Sequence, residues 1–262
     1  MSHVPHPDTA VDRYAALYDG YVKSPTLRRI WATTYLNDYP AEAEPYGFVT
    51  QTDLRRMAQE LAIGPQDTFA DLGCSRGGPG LWMARQTGAS LIGIDASPAA
   101  IRHATARASE LGLQDRARFQ LGEFASTNLA DGMLDGAMST DALLFAPDIL
   151  VACQEIARIL RADGYFVFTS FELFKASIHF QLAPIQDYRP MLEAAGFSVE
   201  HYEETSDWER RMRLLLAGIV AEEVNLRREV GDVAAASLHQ WASNRPKELA
   251  DARRVLIVAR RK

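Results

Sequence analysis

Asp71-Leu72-Gly73-Cys74-Ser75-Arg76-Gly77-Gly78-Pro79-Gly80 is the stretch whose reading decides the fold. A short apolar run, 68–72, leads into it, and a helical pattern, 79–86, leads out. Four glycines in eight residues exceed what a strand-to-helix turn needs and suit a loop whose backbone approaches a ligand closely. Downstream, short apolar runs alternate with helical periodicity: strands at 91–94, 117–121, 134–138 and 165–170, and helices at 98–111 and from Asp148, closed by Asp163-Gly164. That alternation predicts βαβ units and a parallel, doubly wound α/β sheet. Upstream, Thr50 and Asp53 have the spacing of a helix N-cap before Leu54, Met57, Ala58 and Leu61, with Gly64-Pro65 as the stop. After Leu173 the rhythm breaks. A helix at 190–195, a strand at 197–202, a helical region at 207–249 interrupted near Gly231 and Pro246, and a last buried strand at 254–260 bring the strands to seven.

Composition narrows the function. The chain has 262 residues, 47% apolar and 24% charged, the balance of an ordinary globular protein. Twenty-eight Lys and Arg against 34 Asp and Glu leave a net charge of -6, the wrong sign for holding a polyanion. Two cysteines, Cys74 and Cys153, make no disulfide framework and no zinc spacing. With no apolar run of signal or membrane-spanning length, the expectation is a cytoplasmic enzyme, monomer or homodimer, with no nucleic-acid or membrane partner and no metal. The first 50 residues stand apart, carrying eight aromatics, among them Tyr14, Tyr18 and Trp31. They are expected to form a helical cap or lid, residues 1–50, over a Rossmann-like domain, 51–262. Segments 173–190 and 207–249 are expected to help cover the acceptor site.

Two acids follow the glycine loop. Gly93-Ile94-Asp95 ends the second strand on an acid 17 residues after Gly78, where a carboxylate can accept both hydroxyls of a ribose. Gly122-Glu123 places another at the end of the third strand, within reach of an adenine amino group. A nucleoside is therefore expected. Asp71 beside the loop suits a cation better than a diphosphate, and the middle glycine of the dinucleotide fingerprint is missing. A nicotinamide-dependent dehydrogenase is thus an alternative rather than the first reading.

The loop resembles motif I of the class I S-adenosylmethionine-dependent methyltransferases. Leu134-Asp135-Gly136-Ala137-Met138-Ser139-Thr140-Asp141-Ala142 resembles their fourth-strand motif, 155–164 their helix and turn before strand five, and 193–197 their junction before strand six. Residues 139–148 resemble the segment of the sterol and tocopherol C-methyltransferases and their natural-product relatives, with Phe145 in place of a usual histidine. The resemblance implies a Rossmann-like seven-stranded sheet with an antiparallel last strand, and transfer of a methyl group from S-adenosylmethionine, leaving S-adenosylhomocysteine. It implies a cofactor site of Asp71, Gly73, Cys74, Ser75, Gly77, Gly78, Asp95, Ala96, Gly122, Glu123, Phe124 and Ser139. Ser75 stands where most members have a second glycine, so its backbone must take angles that a serine tolerates.

The expected acceptor is a small, largely apolar molecule of secondary metabolism, methylated on C, O or N. In-line transfer needs the acceptor held behind the methyl in a water-poor pocket. Asp141, Glu172 and His179 are the candidate catalytic groups, the two acids following neighbouring strands and expected to share one crevice. Tyr14, Tyr18, Trp31, Phe145, Phe174 and Phe180 are the candidate acceptor contacts. A non-methylating enzyme using the same cofactor pocket, such as a cyclase, is the first alternative, and the nicotinamide-dependent dehydrogenase the second.

Overall fold

The computed structural model describes residues 24–45, 47–177 and 182–262. Tyr14, Tyr18, His179 and Phe180 lie outside the described residues. Seven strands form one sheet: β1 (Thr68–Leu72), β2 (Ser90–Asp95), β3 (Ala117–Leu121), β4 (Leu134–Thr140), β5 (Leu160–Leu173), β6 (Phe197–Glu204) and β7 (Ala252–Arg261). Their order is β3-β2-β1-β4-β5-β7-β6. The first five are parallel, and β7 runs antiparallel between β5 and β6. The central strands β1, β2 and β4 are covered on both faces and buried nearly end to end, whereas the edge strands β3 and β6 are half open.

The described helices are α1 (Pro25–Tyr35), α2 (Gln51–Leu61), α3 (Gly78–Thr87), α4 (Pro98–Glu110), α5 (Ile149–Ile159), α6 (Arg189–Ala194), α7 (Trp208–Ala221), α8 (Glu223–Val230) and α9 (Asp232–Asn244). α2 opens with a complete capping box: Asp53 N–H donates to the Thr50 hydroxyl, and Thr50 N–H to the Asp53 carboxylate. Such a cap is worth about 1 kcal/mol. The helix ends before Gly64, with Ala62 in the left-handed region. α5 is capped by Asp148, as its sequence requires.

One apolar core packs α5 and α6 on one face of the sheet, through Ile156, Ile159, Phe166, Phe168 and Tyr188. A second packs α2 and α3 on the other, through Leu54, Met57, Phe69, Leu81 and Val258. A third core lies outside this sandwich. There Leu27, Ile30 and Trp31 of α1 meet Met212, Leu215 and Ile219 of α7 and Leu238 of α9, above Leu144 and Phe171. Among the described residues, α1 and the late helices α7 and α9 are therefore one layer.

Two expectations change. β5 is longer than 165–170, because Asp163 takes a left-handed backbone and the strand runs through the Asp163-Gly164 turn as an irregularity in its pairing with β4. In sequence Arg210-Arg211 reads as part of a solvated helix face and Arg253-Arg254 as a flank to the last strand, yet Arg211 and Arg254 are buried, Arg254 wholly so.

Candidate active site

The glycine loop folds back over β2. The amides of Gly73 and Cys74 both donate to the Ile94 carbonyl, at 2.8 and 3.0 Å. Gly73 and Gly77 have φ of +71° and +75°, and Ser75 takes +51°, so the serine adopts the left-handed conformation that glycine would enter at less cost. A side chain on Gly73 would fall 2.5 Å from the Ala142 methyl after β4 and 3.3 Å from the Phe124 ring. The other close approaches are internal. A Cβ on Gly77 would meet Ala104 and Phe119 at 3.1 Å, one on Gly78 would strike the Ala43 carbonyl at 1.9 Å, and one on Gly80 the Asp71 carboxylate at 2.6 Å. The glycine count thus reflects the packing of this chain on itself as well as any ligand, with Gly73 at the junction of the loop and β4.

Asp95 closes β2 half-buried, accepting from Ser75 N–H and Ser97 N–H at 2.9 Å each. Burial pushes its carboxyl above the usual range, and those backbone donors pull it back. Ala96, Leu121, Gly122, Glu123, Ser126 and Asn128 line an adjoining cleft of about 450 Å³, with Glu123 at its rim. Leu121, Ser126 and Asn128 carry no motif in the sequence; the one weak signal is the asparagine itself, a residue type that tolerates the left-handed backbone found at Asn128. Asp71 is wholly buried, with no well-formed hydrogen bond to either carboxylate oxygen among the described residues. Burial raises its pKa to about 7, opposed by the Gly80 N–H and assisted by the Asp95 charge. Cys74 is buried beside it, its thiol pushed well up by burial and by the two acids. Ser139 is buried and donates to the Leu72 carbonyl at 2.8 Å, which ties β4 to β1.

The two candidate catalytic acids are not brought together. Glu172 stands opposite Arg253 in the β5–β7 register and Arg254 opposite Phe171, so Glu172 and Arg254 point to opposite faces of the sheet. Glu172, fully buried, accepts from Arg253 Nε at 2.6 Å and from the Tyr202 hydroxyl. Asp141 reaches the other face, where Arg254 grips it with Nε at 2.9 Å and Nη2 at 3.3 Å. The expectation of one shared crevice therefore fails by strand alternation. Trp31 is 5% exposed, stacks on Tyr35 and packs at a tilt against Phe48, which makes it core of the helical layer rather than an open wall. Phe145 is partly buried against that layer, and Phe174 is exposed beyond the end of β5.

The glycine loop, the β2 acid and the cleft lie along the carboxyl edge of the sheet, the loop at the end of β1 where the strand order reverses toward β4 and the cleft beyond the ends of β2 and β3. Compared with known proteins, residues 70–168 match the methyltransferase domain family. Over that stretch the chain is similar to a methyltransferase domain. The match runs from β1 to within β5 and so takes in the loop, both acids and the cleft. Methyltransferase GfsG of Streptomyces halstedii is 28% identical over 125 residues, 48% of this chain and 45% of that protein. Sterol 24-C-methyltransferase erg6 of Aspergillus fumigatus is 27% identical over 136 residues, 52% of this chain and 36% of the relative. The chain thus spans less than half the length of these relatives in alignment. Among solved structures, the [4+2]-cyclase SpnF superposes with a TM-score of 0.75 at 22% identity, over 100% of this chain and 99% of that one. A putative sarcosine dimethylglycine methyltransferase from Galdieria sulphuraria gives 0.73 at 19%, over 81% and 84%. At these identities the superpositions establish the fold: the Rossmann-like sheet of this domain with its antiparallel last strand.

Proposed function

We propose that the chain transfers a methyl group from S-adenosylmethionine to a small, largely apolar acceptor. The observation that carries this is Asp95 at the end of β2, backed by the glycine loop and opening beside the cleft at Glu123. The fit of the cofactor rests on the same edge. The cleft is roomy enough for a base, Asp95 keeps lone pairs for ribose hydroxyls, and the buried Asp71 carboxylate, opposed only by the Gly80 N–H, complements a cationic ligand. Asp95, Glu123, Ala96 and Gly122 would hold the nucleoside, and Gly73, Cys74, Ser75 and Phe124 the amino-acid end. When bound, S-adenosylmethionine supplies an electrophilic methyl on a sulfonium. The chain's own contribution is enclosure and orientation. The aromatic layer of Phe48, Phe145 and Phe171 keeps water from the crevice above β4 and β5, and favours an apolar acceptor over a charged one. Since Asp141 and Glu172 are each held by an arginine, a described base is lacking among these candidates; His179 remains the proposed proton acceptor where the acceptor atom must lose one. The net acidic charge supports a partner other than nucleic acid, and two free, buried thiols fit a cytoplasmic, reducing setting.

Thermal shift tests the cofactor. S-adenosylmethionine and S-adenosylhomocysteine should both raise the melting temperature and nicotinamide dinucleotides should not. Asp95→Ala should cost about 1–3 kcal/mol of affinity by calorimetry; unchanged affinity removes Asp95 from the site. A second reading, a cyclase that uses the pocket without methyl transfer, is favoured by one observation: the [4+2]-cyclase superposes over this chain's full length. Mass analysis of products decides, because only methylation adds a CH₂ to the acceptor.

A further inference from the structure

Arg254 is the largest fully buried side chain among the described residues, and its place on β7 puts it beneath the carboxyl edge of β4. Its guanidinium spends four bonds: two on Asp141, one on Asp53 at 2.8 Å and one on the Thr205 hydroxyl at 3.1 Å. Burial works against the charge, but the two carboxylates more than compensate and hold its pKa above the ordinary arginine value. Buried ion pairs of this kind add little net stability compared with apolar packing of the same volume, so their value lies in what they orient.

Here the oriented residue is Asp141. It takes a left-handed backbone, φ +54°, and its amide donates to the Thr169 carbonyl at 2.9 Å. An aspartate tolerates that conformation better than most residues, provided its side chain is hydrogen-bonded in place. The held turn delivers Ala142, whose methyl is the group a Gly73 side chain would strike. The same carboxylate accepts from Phe48 N–H at 2.8 Å, at the end of the N-terminal segment that crosses the glycine loop at Ala43.

We infer that Arg254 is a positioning residue for the cofactor site, acting through Asp141 to seat Ala142 against Gly73 and to fasten Phe48 across the crevice. This rests on the proposed cofactor reading. Asp141→Asn keeps the shape but removes the charge and one acceptor. Calorimetry should show S-adenosylhomocysteine binding roughly tenfold weaker, and hydrogen exchange should show the Phe48 amide losing protection. Val258→Ala, a core truncation on the same strand, serves as the comparison: it should lower the melting temperature while affinity and Phe48 protection stay as in the wild type. If Asp141→Asn does not fold, Arg254→Lys, which keeps the charge and loses the fork, is read in the same way. Wild-type affinity with a protected Phe48 amide in the variant overturns the positioning role. So does a loss of affinity in Val258→Ala that matches its loss of stability. A wild-type protein that binds neither S-adenosylhomocysteine nor S-adenosylmethionine overturns the cofactor reading instead, and the positioning role with it.

Discussion

Asp71 shows how a single buried residue can give the whole domain a pH dependence. Its carboxyl is raised by burial to about 7, well above its value in an unfolded chain. The folded state therefore holds the proton more tightly, and stability falls as pH rises from about 4 through about 7. Asp71→Asn removes that dependence. In the ligand-free protein the variant's melting temperature should gain on the wild type between pH 5 and pH 8. A gap that stays constant over that span would mean Asp71 is solvated or paired in solution. The residue type was legible at the outset, as an acid before the first glycine. Its burial was not, because that depends on α3 closing over it through Gly80.

At the scale of elements, α5 shapes the cleft at Glu123 from outside it. Glu155 accepts from Thr127 N–H and its hydroxyl, at 2.8 and 2.6 Å, and Arg158 donates to the Leu129 carbonyl at 2.8 Å. One helix thus pins the segment that follows Glu123. Arg158 chiefly, with Thr127, overcomes the cost of burial and holds the Glu155 carboxyl down at about 2. A depressed carboxylate contributes stability above its unfolded value, near 4.5, and loses it as pH falls through about 2. Glu155→Gln should therefore flatten the acid limb of the stability curve between those values. At neutral pH it should cost roughly 1 kcal/mol and quicken exchange of the Thr127 amide. Acid denaturation matching the wild type would show that the pair contributes nothing. Periodicity found α5 and its Asp148 cap because both are local in sequence. The span from Glu155 to Thr127 is not local, and only the parallel β3–β4 crossover brings them together.

Across the whole molecule, α1 is tied to the late helices. Glu229 at the end of α8 accepts from the Ser24 hydroxyl at 2.5 Å, the Thr26 hydroxyl at 2.7 Å and the Thr26 amide at 3.1 Å, at the start of α1. Together with the third apolar core, this joins segments some two hundred residues apart into one layer over Leu144 and Phe171. Glu229→Ala should release the first turn of α1. Exchange at Thr26 and Leu27 should quicken, and the melting temperature should fall by about 2–4 °C, with β1 to β5 protected as before. Unchanged protection at α1 would show that apolar packing alone holds the layer.

What the chain's own order of residues determined was whatever repeats locally. The strands from 68 to 170, the capping box at Thr50 and Asp53, the glycine loop and the acids at Asp95 and Glu123 each follow from short-range spacing, because backbone hydrogen bonding and helix or strand periodicity act within a few residues. Folding alone decided the partners. Which face Glu172 points to depends on β5–β7 register, and the burial of Arg254 depends on α2, β4 and the segment after β6 converging on it. An arginine beside a terminal strand reads as solvated until the two carboxylates that neutralise it, 113 and 201 residues away, are brought within hydrogen-bond reach.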